Sequence, residues 1–186
     1  GSISAALGDE WDRPRWTVVR GAGPAAASPG TAARIGARMA QLEFAAAAGD
    51  DSAYQRAAAT LHELLAAVEG AGPIAVQLTE SSINAAEERA LLARQLRTVT
   101  GTGNAFDAGA WLETARLAAV SGRTEFLDTG GPAIATLRDI TAALERAPPS
   151  GEWDTILALL HAILRDHADA DLTRDHVEKA LAAIPR

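Results

Sequence analysis

Residues 31–70 read TAARIGARMA QLEFAAAAGD DSAYQRAAAT LHELLAAVEG, and this stretch decides the fold. Thr31 is placed to cap a helix in which Ile35, Met39 and Leu42 recur at i, i+4 and i+7, the spacing that stacks side chains on one helical face. Gly49-Asp50-Asp51-Ser52 breaks the pattern and supplies capping side chains for a second helix. In that helix Tyr54, Leu61, Leu64, Leu65 and Val68 form one broad apolar stripe, which Gly70-Ala71-Gly72-Pro73 ends.

The same grammar continues toward the C-terminus. A third segment runs from Pro73 towards Leu96, with an interruption near Thr79–Ser82 where small hydroxyl residues cluster. Thr100-Gly101-Thr102-Gly103-Asn104 reads as a loop, after which Asp107 caps a helix bearing Trp111, Leu112, Ala115 and Ala119. Gly130-Gly131-Pro132 stops and restarts the chain, and Ile134, Leu137, Ile140 and Leu144 follow at helical spacing. Trp153, Ile156, Leu157, Leu160 and Leu164 make the cleanest amphipathic segment. Thr173 is expected to cap a last helix, with Leu172 and Val177 as a hydrophobic staple. Toward the N-terminus, residues 1–30 carry breakers and no sustained period. They predict an irregular arm on the body, with Trp16-Thr17-Val18-Val19 extended and a loose link after it.

Composition agrees. Alanine supplies 44 of 186 residues and aromatics only 4%, which favours helices over a large sheet. The expectation is an all-α protein: a single antiparallel bundle of six or seven helices over 31–186, preceded by the arm at 1–30. Net charge is −7 with one lysine, Lys179, so neither a nucleic-acid surface nor a polybasic membrane patch is expected. Cysteine is absent, which removes thiolate metal sites, disulfides and cysteine nucleophiles. The chain opens on Gly1-Ser2, which reads as a cloning remnant, so a leader or membrane anchor is expected to have been trimmed.

Catalytic patterns do not assemble. His62-Glu63 begins like the helical zinc-protease motif, but Ala66 stands where the second histidine belongs. No glutamate lies three residues before a histidine, and Gly-x-Ser-x-Gly is missing. His167, Asp169, Asp171, Asp175 and Glu178 approach a twelve-residue calcium loop, with His167 at its first position and Leu172 at its turn glycine. The preferred reading of the same residues is a solvated turn between helices in which Asp171 or Thr173 caps the last helix. No cofactor is expected, a divalent metal at that turn being the alternative. A metal- or haem-binding protein using His161, His167 and His176 is a second possibility, and an enzyme built from scattered helix residues a third. Trp11 and Trp16, beside Arg13, Arg15 and Arg20, either pin the arm to the bundle or line a groove for a partner or an anionic ligand.

Residues 34–70 resemble the first helical hairpin of the sensor bundles in bacterial chemoreceptors and NarX-type histidine kinases. In those, an Arg-Met pair and a following Gln begin a helix, an alanine-rich stretch reaches Gly-Asp, and a second helix follows. Here these are Arg38, Met39, Gln41 and Gly49-Asp50. Gly122-Arg123-Thr124-Glu125-Phe126-Leu127 is similar to the turn between long helices of other receptor ectodomains. The resemblance implies an extracytoplasmic sensory domain, with Arg38 as an anion-binding residue. The expected function is therefore a non-enzymatic binding module, sensory or adaptor in kind, for a small-molecule ligand or protein partner. Arg38, His62 and Arg94 are its candidate ligand-binding residues. A homodimer is compatible with the sequence, and membrane contact is expected only through segments outside it.

Overall fold

The computed structural model describes residues 7–13, 16, 23–128 and 130–185. Among them are eight α-helices and no β-strand: α1 (Pro29–Ala48), α2 (Asp51–Leu65), α3 (Gly72–Glu80), α4 (Ala86–Val99), α5 (Gly103–Val120), α6 (Pro132–Arg146), α7 (Asp154–Asp166) and α8 (Ala170–Ala182). The protein is all-α as expected, with eight helices where six or seven were anticipated. Arg15, Arg20 and the extended stretch expected over 17–19 lie outside the described residues.

The additional helix comes from the interruption after Thr79. Ser81 leaves helical geometry (φ −70°, ψ 146°). Its hydroxyl donates to Leu78 O at 2.8 Å and lies 2.9 Å from the Tyr54 hydroxyl. From the first turn of α4, Arg89 donates to the carbonyls of Ser82 and Ile83 and pairs with Glu43 at 3.1 Å. With its carbonyls held this way, the connector forms a fixed corner that separates α3 from α4.

Helix starts differ from the sequence expectation by a few residues. Ser28, not Thr31, caps α1: its Oγ accepts from Thr31 N at 3.0 Å, and Pro29 takes the first helical position. Gly103-Asn104 is the first turn of α5, so Asp107 lies inside that helix. Asp169 caps α8 by accepting from the amides of Asp171 and Leu172 at 3.1 and 3.0 Å. Thr173 is buried one turn further in, and its hydroxyl donates to Asp166 O. Leu172 is 48% exposed, so no staple packs there. Asp169→Ala is expected to lower stability by about 1 kcal/mol, measured by urea unfolding in chelator-containing buffer. An unchanged midpoint would show that the cap contributes nothing.

The packing centre is a pair of helices distant in sequence. α1 packs most extensively against α5, with three helices between them along the chain. Every residue from 32 to 42 is buried, so α1 runs through the middle of the protein instead of presenting one wet face. Glycines permit the closeness. A β-carbon on Gly36 would lie 2.1 Å from Phe106 O, and one on Gly109 would lie 1.9 Å from Ala33 O. Around this pair, α2 covers α1, α8 rests on α5 and α7, and α6 joins α5 to α7. No described helix is long and apolar enough to cross a membrane.

The arm docks on this centre. Leu7 is fully buried, and Trp11 meets Phe44 edge-on with ring centroids 6.1 Å apart. The link is not loose where it is described: Ala25 exchanges backbone hydrogen bonds with Ala67 and Glu69 at the end of α2.

Candidate functional site

The polar centre lies where the arm crosses α1 and α5. Arg38 and Gln41 come from α1, one turn apart, and Glu113 and Arg116 come from α5 with the same spacing. All four are buried, Glu113 completely. Arg116 grips the Glu113 carboxylate through two nitrogens, with Nε to Oε2 at 2.9 Å and Nη2 to Oε1 at 2.8 Å. Gln41 Nε2 donates to the same Oε1 at 2.7 Å, while its Oε1 accepts from Arg38 Nη1 at 2.5 Å. Gln41 thus relays between the two charged residues in the orientation that satisfies both.

The arm supplies the remaining acceptors. Arg116 donates to the Glu10 carboxylate at 3.0 Å, to Glu10 O at 2.8 Å and to Arg13 O at 2.9 Å. Gln41 Nε2 also reaches Arg13 O at 2.7 Å. Buried guanidinium and amide donors therefore hold the arm by its backbone carbonyls, in addition to the packing of Leu7 and Trp11.

The electrostatics follow from burial. Desolvation pushes the Glu113 carboxyl above its ordinary value, while the hydrogen bonds of Arg116 and Gln41 and the field of Arg38 pull it back. Burial also works against the Arg116 charge, but its hydrogen bonds to Glu113, and the fields of Glu113 and Glu10, hold it above normal. Arg38 is lowered, chiefly by desolvation, with Glu113 opposing.

Above the network lies a cleft of about 310 Å³ lined by Trp11, Asp12, Trp16, Arg38, Gln41, Arg56, Ala57 and Thr60. The Arg38 guanidinium sits 5.0 Å from the Trp16 ring centroid, within cation–π range. Arg56 and Asp12 face each other at 3.6 Å, each about half exposed. The Trp11 indole nitrogen is buried and has no hydrogen-bond partner among the described residues. Trp11 thus pins the arm to the bundle, and both tryptophans wall a cavity.

Of the three ligand-binding candidates, Arg38 lines this cleft. His62, on α2, and Arg94, on α4, are exposed, and neither lines it. Four of the five C-terminal candidates are engaged separately. His167 Nδ1 contacts Leu164 O, Asp169 caps α8, Asp175 pairs with Lys179 at 2.6 Å and Glu178 with Arg174 at 2.9 Å. Asp171 is exposed in the first turn of α8. Among the described residues, no three His, Asp or Glu side chains converge as metal ligands. His161 pairs with Glu145, and His176 with Asp166.

Glu113 and Arg116 were not visible as site residues in the sequence. The available signal was an opposite-charge pair at i, i+3 in the middle of a helix that is otherwise apolar from Ala108 to Val120, apart from one threonine. Comparison with protein-family models, with curated proteins and with solved structures returns no match.

Proposed function

We propose that the protein is a non-enzymatic helical binding module, sensory or adaptor in kind, that holds a small anionic ligand between its arm, α1 and α2. One observation carries this reading. In a chain of net charge −7, two arginines and two tryptophans line a single hollow in which Asp12 is the one carboxylate among the described lining residues. Guanidinium groups match carboxylate and phosphate geometry, and indole walls supply apolar contact at low entropic cost. The cavity is at the small end of the range for ligand sites.

In this reading the eight helices form a single antiparallel bundle, and the Glu113–Arg116 network keeps the arm seated so that the cleft exists before the ligand arrives. The likeness of residues 34–70 to receptor sensor hairpins supports an extracytoplasmic sensory role, in which occupancy of the cleft is reported through the arm.

Calorimetric titration of the full chain with 3-phenylpropionate tests the reading. Wild type is expected to bind, and Arg56→Gln to bind about tenfold more weakly, the loss of one charge-assisted contact. Arg56 is half exposed, so the variant should fold. Absence of binding, or equal affinity in both proteins, would refute the proposal.

A further inference from the structure

A second cavity, of about 670 Å³, lies between α5 and α6 and shares no lining residue with the arm cleft. Its apolar surface includes Trp111 and Phe126, whose rings lie 5.7 Å apart and are tilted by 43°, together with Ile140. The hydrogens of the surrounding polar groups are largely committed. Trp111 Nε1 donates to Ala133 O at 2.8 Å. The Thr114 hydroxyl donates to Ala110 O at 2.8 Å, and that of Thr136 to Pro132 O at 2.9 Å.

What remains available is mostly acceptors: the lone pairs of two hydroxyls and the carboxylates of Asp107 and Asp139. Asp107 is neutralised by Arg97, which holds both of its oxygens at 2.8–3.0 Å. Asp139 is exposed and has no ion-pair partner among the described residues. Asn104 alone of the described lining residues keeps side-chain N–H donors, and no described basic side chain lines the groove.

A groove with an aromatic floor, an unneutralised carboxylate and spare acceptors complements a ligand that is apolar in body and rich in donors at one end. We propose that it binds an organic ammonium ion, with the N–H donors shared by the Asp139 carboxylate and the Thr136 oxygen. These two residues are neighbours at i, i+3 on α6. The hydrocarbon part then lies on Trp111 and Phe126.

The probe is 2-phenylethylamine, titrated into the full chain by calorimetry at low ionic strength. Wild type is expected to bind it, Asp139→Asn to bind at least tenfold more weakly and Thr136→Val several-fold more weakly. Arg56→Gln should leave this affinity unchanged, which separates the groove from the arm cleft. Both groove residues are exposed, so folding is not at stake, and matching circular dichroism spectra confirm it. No binding of the amine, or affinity unaltered by Asp139→Asn, would overturn the proposal.

Discussion

Gly109→Ala is expected to lower the stability of the protein by about 3 kcal/mol, at or beyond the upper end for overpacked cores. The sign makes this informative. In an exposed helix interior the same change would raise stability by about 1 kcal/mol, because alanine is the better helix former. Here the new methyl would lie 1.9 Å from Ala33 O, a backbone atom that moves only if α1 moves. Gly36→Ala, 2.1 Å from Phe106 O, should behave alike. Because both changes wedge the same helix pair apart, the double variant should lose less than the sum of the two. Urea unfolding measures all three, and a stabilised Gly109→Ala would show that α1 and α5 do not meet this closely.

The second large effect falls on the buried ion pair. Glu113→Leu leaves Arg116 buried with part of its hydrogen bonding lost, and breaking such a pair costs about 3–5 kcal/mol. Asp107→Asn, at the partly exposed bridge to Arg97, should cost at most about 1 kcal/mol. The contrast rests on burial, since both carboxylates accept two guanidinium nitrogens. Glu113→Leu has a second readout. Arg116 holds Glu10 O and Arg13 O, so hydrogen exchange over 7–13 should accelerate more than exchange in α7. Combining it with Arg116→Met should recover part of the stability but not the arm protection, because the arm carbonyls then lose their main donor. If all segments accelerated equally, the network would be a general core feature and not the anchor of the arm.

Much of the fold was legible because most of its helices are amphipathic. Tyr54, Leu61, Leu64 and Leu65 form the buried side of α2 as their spacing requires, and Ile134, Leu137, Ile140 and Leu144 do so in α6. Periodicity fails where a helix has no wet face. The stripe Ile35, Met39 and Leu42 is real, yet every residue around it is buried too, and only the partner helix reveals why Gly36 must be glycine. Local pattern cannot announce a contact between residues 33 and 109. It did locate the break after Thr79, where the hydroxyl cluster marks a true corner held from Tyr54 and Arg89.

The site was legible in part for the same reason. Trp11 and Trp16 stand out as aromatics on an irregular arm, and Arg38 through the Arg-Met pair of the resemblance; the structure gathers the three around one cleft. Glu113 and Arg116 carry no signal in their spacing alone, because opposite charges at i, i+3 are most often a solvent-facing pair. Their burial is imposed by the arm and α1, which lie about 100 and 70 residues upstream in the chain, respectively. His62 and Arg94 are exposed on separate helices and lie outside the lining of this cleft.

The most direct measurement follows the four tryptophan indole N–H signals by nitrogen-15 NMR while 3-phenylpropionate is added. If the anion enters the cleft between arm and bundle, the Trp11 and Trp16 signals move together along one saturating curve, and those of Trp111 and Trp153 stay in place. Four stationary signals, or movement confined to Trp111 and Trp153, would contradict a ligand site in that cleft.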